Sequence, residues 1–274
     1  MPELAEVLYF SRRWLPGLGE RVARVHLHDR KRIFRGTRPG EIRRLLPGQP
    51  LRAIQTHGKQ MLFQFGADRW LGVHLGMTGK LSVAHPAHAP GKHDHLVLYT
   101  RTRALVFQDP RLFGRIRFDQ SPQPPKWWSS LPTPLLAPGF SSAKVETILR
   151  QRGRTPLKPL LLLQDFFPGI GNWMADEILW QARLHPRTRA GTLPATAVPD
   201  LHGKIRKVAR EAIRIIGRDW SDPPRSWLFH HRWEDGGTCP RCRAALVRRP
   251  VGGRTTCWCP SCQEAALPRP RHRR

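Results

Sequence analysis

Two short cysteine motifs near the end of the chain constrain its folding more than any other feature. Cys239-x-x-Cys242 and Cys259-x-x-Cys262 are separated by sixteen residues. This spacing is typical of a ribbon in which four thiolates hold one zinc ion. Because four protein ligands leave no open coordination position, we predict one structural Zn²⁺ that rigidifies a small β-hairpin.

A fifth cysteine, Cys257, lies close enough in sequence to compete as a ligand. Its segment alternates like a strand, and only Cys259 completes a second Cys-Pro-x-Cys turn. We therefore assign the four ligands to the two motifs and interpret Cys257 as a spare thiol. Clustered cysteines in an intracellular chain hold a metal more often than they form disulfides.

The charge balance indicates an acidic polymer as the partner. The chain has 47 Lys and Arg against 20 Asp and Glu, a formal net charge of +27 over 274 residues. Nucleic acid is the favoured partner, and a membrane surface is the alternative. No apolar run approaches the ~20 residues that span a bilayer, and the amino terminus lacks the layout of a signal peptide. We expect a cytoplasmic, nucleoid-associated monomer.

The amino terminus carries a candidate nucleophile. Removal of Met1 would convert Pro2 into a free secondary amine, with Glu3 and Glu6 close behind it. An amine that is unprotonated near neutral pH attacks a sugar aldehyde carbon and forms an iminium, and Glu3 is placed to supply the acid. The alternative is an ordinary chain start followed by a polar helix entry.

Hydrophobic periodicity divides the chain into a strand-rich part and a helical part. A helix is predicted over Ala5–Leu15, because Val7, Phe10 and Trp14 have helical spacing. Short strand-like runs with frequent turns then favour a two-layer antiparallel β-sandwich. The predicted strands are 21–27, 51–55, 60–65, 70–75, 96–99, 104–108 and 115–118. Helical signals dominate from Ala143 to about residue 216.

This pattern predicts an α+β multidomain protein built from five consecutive segments. They are a β-sandwich domain at 1–120, a proline-rich linker at 121–138, a helical domain at 139–236, a zinc finger at 237–267 and a basic tail at 268–274. We expect the tail to be disordered, because it is short and strongly charged.

A glycine-containing turn precedes one of the predicted helices. Pro168-Gly169-Ile170-Gly171 leads into Asn172, where the helix begins. Exposed amides at a helix start, without obstructing side chains, form a cradle for a phosphate, and Lys158 is a candidate for the matching cation. The alternative is that these glycines serve only the packing of a tight turn between helices.

Taken together, these segments resemble the formamidopyrimidine-DNA glycosylases and their endonuclease VIII relatives. The motifs that carry the resemblance are Pro2-Glu3-Leu4-x-Glu6-Val7, Gly58-Lys59, His74–Gly79, Lys92–His95, Asp109–Gly114, Gly169–Asn172 and Arg254–Gln263. The resemblance implies a β-sandwich, a helix–two-turn–helix domain and a zinc finger around a DNA cleft. It also implies damaged double-stranded DNA as the partner.

The resemblance implies a glycosylase that is also an abasic-site lyase acting on oxidised or ring-opened bases. Pro2 would attack the sugar carbon that bears the base, and Glu3 would protonate the ring oxygen. Glu6 is the second carboxylate of the catalytic set. Lys59 would assist elimination and hold a phosphate, and Arg254 would bind the phosphates beside the lesion.

Further residues of the family motifs are expected to contact DNA. Asn172, Lys158 and Arg154 would hold the backbone, and His93 or His95 would add another contact. Met77 would fill the gap left by the extruded base, with Phe113 wedged beside it and Arg111 in the same turn.

Three positions depart from the family pattern. Ala5 replaces a proline, which removes no chemical group. Leu112 stands where these enzymes commonly place an arginine that reads the base opposite the lesion, and leucine cannot donate a hydrogen bond to a base. The stretch Gly217–Trp233 is short where oxidised-purine enzymes close a longer loop over the extruded base. We therefore expect altered opposite-base selectivity and weak capping of 8-oxoguanine.

Two functions follow, and the amino terminus distinguishes them. The first is the bifunctional glycosylase and lyase. The alternative is a protein that binds damaged or abasic DNA on the same scaffold without excising bases. A mere binder has no need for Pro2, Glu3, Lys59 and Arg254 together, so the enzyme is favoured.

Overall fold

The computed structural model describes residues 1–264. These residues form two compact units. The first consists of Met1–Leu131 with Ile216–Trp220, and the second of Pro132–Ile215 with the described part of Ser221–Arg274. The basic tail at 268–274 and the last residues of the predicted zinc finger lie outside the described range.

The first unit begins with helix α1, Leu4–Arg12, whose buried residues include Ala5, Val7 and Phe10. The predicted helix is therefore confirmed, although it ends before Leu15. A separate 3₁₀ turn, Leu15–Gly17, follows because Pro16 cannot continue the α-helical hydrogen bonds.

Eight strands of the first unit form the predicted antiparallel sandwich. They are β1 Arg24–Leu27, β2 Leu51–His57, β3 Gln60–Phe65, β4 Arg69–His74, β5 Lys80–Ala84, β6 Asp94–Tyr99, β7 Ala104–Gln108 and β8 Arg115–Gln120. One sheet has the order β1-β6-β7-β5 and the other β2-β3-β4-β8. A single apolar core receives Phe63 and Leu71 from the second sheet and Leu98 and Leu105 from the first.

Two elements of this unit escaped the sequence pattern. Strand β5 lies at the edge of its sheet and buries only one of its five residues fully, so its apolar alternation is weak. Helix α2, Pro39–Leu45, begins with Pro-Gly, which reads as a loop in sequence. Its Ile42 is nevertheless fully buried in the sandwich core, so tertiary packing stabilises a helix that local propensity does not favour.

The remaining helices follow the sandwich. They are α3 Lys126–Ser129, α4 Ser142–Gln151, α5 Leu157–Leu161, α6 Asn172–Gln181 and α7 Val198–Asp219. Ser141 caps α4 by accepting a hydrogen bond from the Lys144 N–H. Within the described residues no helix is both long and apolar enough to cross a membrane.

The second unit ends in an antiparallel hairpin of β9, Val247–Val251, and β10, Arg254–Trp258. The two-residue turn Gly252-Gly253 joins the strands, and both glycines have positive φ. This is the small β-hairpin that the cysteine spacing predicted.

Candidate functional site

The amino terminus places a proline and two carboxylates at the start of α1. Glu3 is the residue that precedes the helix, its side chain is only 2 % exposed, and its N–H donates to the Glu6 carboxylate. This is the arrangement of a capping box, in which acidic side chains satisfy free amides at a helix start. Pro2 directly precedes this pair and is half-buried. The local sequence therefore holds both carboxylates beside the candidate nucleophile.

Lys59 occupies the tight turn between β2 and β3. His57 and Gln60 pair across the turn, and Gly58 has a φ of +57°, a conformation that few other residues adopt without strain. The Lys59 residue is only 7 % exposed, so it is not a solvated surface lysine. Its charge helps to lower the pKa of the neighbouring His74.

The turns that carry Met77 and Phe113 are tied together by a buried aspartate. The Asp109 carboxylate accepts hydrogen bonds from the Thr78 hydroxyl at 2.7 Å and from the Gly114 N–H at 2.6 Å. Met77 is 40 % exposed and Phe113 39 % exposed, although both are large apolar residues. The predicted exposure of both residues is confirmed. Sequence reasoning missed Asp109, whose only signal was the Asp-Pro that opens the motif.

Gly76 allows these two turns to approach closely. Its φ is +63°, and a Cβ at this position would lie 2.4 Å from the carbonyl carbon of Phe113. A residue with a side chain would push the turns apart.

Leu112 does not leave the turn without an arginine. Its φ is +58°, which directs the half-buried side chain against the sandwich core. Arg111 is exposed instead, with its guanidinium carbon 4.9 Å from the centre of the Phe113 ring. A donor group for a base edge is thus present, and the predicted loss of opposite-base reading does not follow from Leu112.

His95 is not available for DNA. It is almost completely buried, its Nε2–H donates to the Asp109 carbonyl at 3.0 Å, and its Nδ1 lies 3.2 Å from Nδ1 of His28. The prediction of a direct contact from His95 is therefore wrong, because strand β6 turns this side chain inward. His93 is half-buried and remains a candidate.

His74, at the end of β4, is a neutral donor that sequence reasoning did not assign. Burial and the charges of Lys59 and Arg35 lower its pKa to about 4. Its Nδ1 accepts a hydrogen bond from the Gly76 N–H at 3.0 Å, so the ring proton resides on Nε2.

In the second unit Asn172 and the zinc hairpin are directly joined. Asn172 is the first residue of α6, as predicted, and its amide donates to the Thr255 carbonyl at 2.8 Å. Arg254, the residue before Thr255, is exposed. The Gln164 side chain holds the preceding turn by accepting from the Gly169 N–H and donating to the Ile170 carbonyl. Two predicted phosphate ligands are thereby brought side by side.

Lys158 belongs to a buried ionic network, not to the surface. Its side chain is 0 % exposed, and its ammonium lies 2.5 Å from the Asp176 carboxylate. The same carboxylate accepts from the Arg232 guanidinium at 2.6 Å and from the Cys257 N–H at 3.1 Å. We call these four residues the Asp176 network. The predicted phosphate contact of Lys158 is wrong, because its charge is already neutralised within the protein; Arg154 is exposed and remains a candidate.

The four predicted cysteine ligands converge. Their Sγ atoms all lie within 4.8 Å of one another, with separations of 3.4 Å for Cys242–Cys259, 3.5 Å for Cys242–Cys262 and 4.0 Å for Cys239–Cys262. A tetrahedral zinc with Zn–S bonds of about 2.3 Å requires sulfur separations of about 3.8 Å. The set therefore fits one structural zinc ion. Cys257 lies outside the cluster, as predicted, and is buried.

The stretch after Gly217 is partly a continuation of α7. Trp220 follows the helix with a φ of +67°, and its ring centre lies 4.7 Å from that of Tyr9 and 5.1 Å from that of Phe10. Trp227 is buried within the second unit. The tryptophans of this stretch thus serve packing, and no long loop separates α7 from the short 3₁₀ helix Leu228–His231.

Comparison with known proteins gives the same assignment along the whole chain. The family model of the formamidopyrimidine-DNA glycosylase N-terminal domain matches residues 1–116, and that of the H2TH domain of the same enzymes matches residues 132–222. The formamidopyrimidine-DNA glycosylase of Roseiflexus sp. is 35 % identical over 96 % of this chain and 100 % of its own length. That of Chloroflexus aurantiacus is 35 % identical over 96 % of this chain and 98 % of its own.

Solved structures of the Lactococcus lactis enzyme agree with the fold. Its complex with DNA containing an oxidised pyrimidine has a TM-score of 0.86 at 28 % identity, covering 96 % of this chain and 100 % of that one. Its complex with DNA containing N7-benzyl-Fapy-dG has a TM-score of 0.85 at 28 % identity, with the same coverage.

The sandwich, the helical unit and the four-cysteine hairpin define a DNA glycosylase with an amino-terminal proline. The chain belongs to the formamidopyrimidine-DNA glycosylase family. It is a base-excision-repair glycosylase and abasic-site lyase, and nothing in the comparisons favours the non-excising alternative.

Proposed function

We propose that this enzyme excises oxidised or ring-opened bases with Pro2 as the nucleophile and then cleaves the strand by elimination. The observation that carries this assignment is the position of Pro2 beside the buried Glu3 and the Glu6 carboxylate at the start of α1. Removal of Met1, which is half exposed, frees the proline nitrogen.

The first chemical step replaces the base by the enzyme. The unprotonated Pro2 nitrogen attacks C1′ of the damaged nucleotide, and the C1′–N bond breaks as the base leaves with its electron pair and takes up a proton. Glu3, as a carboxylic acid, donates its proton to the sugar ring oxygen, so the ring opens and an iminium links Pro2 to C1′.

The second step breaks the strand. The iminium acidifies the proton on C2′, and its removal expels the phosphate on C3′ by elimination. Water then hydrolyses the iminium and releases Pro2. Lys59, held in its tight turn, stabilises the departing phosphate and assists this elimination.

Several exposed groups bind the surrounding DNA in this proposal. Asn172 and Arg254 hold backbone phosphates together, because their chains are joined through Thr255. Met77 and Phe113 fill the space that the extruded nucleotide leaves. Arg111 offers its guanidinium to the opposite base. We place Arg154 and His93 as additional backbone contacts. The zinc ribbon, when it holds its ion, fixes the hairpin that carries Arg254.

We infer the substrate class from relatives and from Trp220. The printed substrates of the Lactococcus lactis enzyme are oxidised pyrimidine, Fapy-dG and abasic-site DNA. We propose the same classes here, with weak capping of 8-oxoguanine because α7 leads directly into Trp220 and its packing against Tyr9. Such an enzyme works on chromosomal DNA, which places it at the nucleoid.

Borohydride trapping tests the reaction. The processed protein is incubated with duplexes that carry 8-oxoguanine, a formamidopyrimidine, an oxidised pyrimidine or an abasic site, and the adduct is mapped by mass spectrometry. We expect a covalent adduct on the Pro2 peptide with abasic DNA and with at least one damaged base. Glu3→Gln should trap abasic DNA but lose base excision by about 10²-fold or more. An adduct on a lysine, or none with any duplex, would overturn the proposal.

A matched control separates charge effects from chemistry. Arg101→Gln removes an exposed arginine from the turn between β6 and β7, away from the groups assigned above. Its trapping should equal that of the unmodified enzyme.

A further inference from the structure

A small cavity on one face of the sheet β2-β3-β4-β8 collects arginines that have no role in the chemistry above. Its volume is about 150 Å³, and its lining includes Arg35, Gln60, His74, Arg115 and Arg117. We call this cavity the arginine pocket. All of its residues belong to the first unit.

Strand register explains why these cations meet. Arg115 on β8 lies opposite His74 on β4, and Arg117 lies opposite Gly72. The alternate residues Ile116 and Val73 point into the apolar core, so the arginines project from the other face of the sheet. Arg35 reaches the same place from a different segment, where its Nη1 donates to the Gly114 carbonyl at 2.8 Å.

Trp127 of the linker forms a wall of the pocket. The Arg117 guanidinium carbon lies 4.4 Å from the centre of this ring, and a Cβ at Gly72 would lie 2.6 Å from it. The indole N–H donates to the Asp119 carboxylate at 3.0 Å. The carboxylate near Arg117 is therefore held by Trp127, and it reaches no arginine of the pocket within ion-pair distance in the described chain.

The positive charge of the pocket is not compensated inside the protein. Across residues 1–264, Arg35, Arg115 and Arg117 form no ion pair with a carboxylate. Arg115 Nε is buried and, within the same range, has no hydrogen-bond partner. Burial and the neighbouring Arg115 charge lower the pKa of both Arg35 and Arg117. Crowded cations with an unused donor imply an anionic ligand, because buried charges and donors otherwise destabilise the fold.

We propose that the arginine pocket is a phosphate-binding site that holds one backbone phosphate of bound DNA, apart from the phosphates at Lys59, Asn172 and Arg254. Guanidinium groups bind phosphate oxygens through paired donors, and the neutral His74 adds its Nε2–H without adding charge. Only the origin of the phosphate rests on the proposed function. The site itself follows from the charges of the first unit.

The first experiment measures the phosphate alone. Thermal unfolding of the full chain is followed in inorganic phosphate and in chloride at equal ionic strength, for the unmodified enzyme, Arg115→Gln and the control Arg101→Gln. General salt effects are common to all three proteins, so the difference between them reports the site. With phosphate at about ten times its Kd, the unmodified enzyme and the control should gain about 3 °C more than Arg115→Gln.

The second experiment measures DNA. Affinity for a duplex with an uncleavable abasic analogue is determined against KCl concentration. Loss of one phosphate contact should lower the slope of log K against log salt by about 0.9 for Arg115→Gln. Arg101→Gln should keep the slope of the unmodified enzyme. Arg35→Gln, at the exposed rim of the pocket, repeats the test with little risk to folding.

The outcomes distinguish the site from the reaction. A lower slope together with a lost phosphate response supports the proposal in full. A lost phosphate response with an unchanged slope overturns DNA as the source and leaves a site for free phosphate. Pocket variants that match Arg101→Gln in both measurements overturn the site. Borohydride trapping by Arg115→Gln at saturating DNA should persist, so failure of the lyase chemistry would be recognised separately.

Discussion

The Asp176 network and the arginine pocket hold buried cations in different ways. In the network, one carboxylate accepts from both Lys158 and Arg232, and every charge has a partner of opposite sign. In the pocket, three arginines and a neutral histidine share a cavity, and within the described chain none of the arginines forms an ion pair. A compensated cluster joins segments of the protein, whereas an uncompensated one is prepared for an external anion.

This difference explains why the basic residues of the chain are not equivalent. The net charge of +27 predicted a nucleic-acid partner but could not say which cations face it. Lys158 looked like a phosphate ligand because it precedes the Asn172 turn, and the structure uses it inside the protein. Arg115 and Arg117 looked like ordinary strand residues, and the structure leaves their charge free for a ligand. Four substitutions test this contrast.

The largest expected effect is in the Asp176 network. Asp176→Ala leaves the Lys158 and Arg232 charges buried without a counter-ion, which should lower the free energy of unfolding by about 3–5 kcal/mol. Urea unfolding measures it. The control Asp165→Ala removes an exposed carboxylate of the same unit and should change stability by less than about 0.5 kcal/mol. Equal effects of the two substitutions would contradict a compensated network.

Next in size is a pH effect beside the network. Burial raises the pKa of Glu177 to about 7 from its ordinary 4.5. The folded state therefore holds this proton more tightly than the unfolded state, so stability falls as pH rises from 4.5 through 7. Glu177→Gln keeps an acceptor for the Phe229 N–H and should be about 3 kcal/mol more stable than the unmodified enzyme at pH 8, but not at pH 4. Urea unfolding at both pH values checks this, and a gap that does not change with pH would refute the assignment.

The arginine pocket should show the opposite pH trend. The pKa of His74 is lowered to about 4, below its ordinary 6.5, so the unfolded state binds the proton more tightly. Stability contributed by neutral His74 is present above pH 6.5 and is lost as pH falls towards 4. His74→Asn, which retains an acceptor for the Gly76 N–H, should remove about 2 kcal/mol of the difference in unfolding free energy between pH 7 and pH 5. Parallel pH profiles for the two proteins would show that the pocket does not hold His74 neutral.

The smallest effect concerns the repulsion within the pocket. Arg115→Gln removes one of three crowded guanidinium groups, and it should raise stability by up to about 1 kcal/mol at low ionic strength without phosphate. The gain should shrink in high salt, because screening weakens the repulsion. Arg103→Gln breaks the ion pair with Glu20 in the same unit and should lower stability slightly under the same conditions. A loss of stability for both variants would mean that the pocket arginines are compensated after all.

Features that depend on neighbouring residues in sequence were predictable. The four zinc ligands, the start of α6 at Asn172 and the exposure of Met77 were each specified by a motif of a few residues. Elements with weak local signals were missed, among them strand β5 at a sheet edge and helix α2 behind Pro39. Their apolar residues are buried by contacts that come from distant segments, which no local periodicity reports.

The candidate site divides along the same line. His95 was misassigned because the turn of strand β6 decides which histidine of Lys92–His95 points inward. Leu112 was misread because a positive φ exchanges the directions of two consecutive side chains, so that Arg111 takes the exposed place. In both cases the residue types were correct for the site, and only the backbone geometry selected between neighbours.

By itself the sequence determined the reaction and the metal site of this enzyme. Pro2, Glu3 and Glu6 are contiguous in one helix start, and the cysteines form two local turns, so spacing alone brings their reactive groups together. Tertiary structure decided which cations are neutralised and which remain available. Asp176 lies 18 residues from Lys158 and 56 residues from Arg232, and three separate segments meet in the arginine pocket. Compensation of charge depends on such distant contacts, because ion pairs form between groups that are close in space, whatever their separation in sequence.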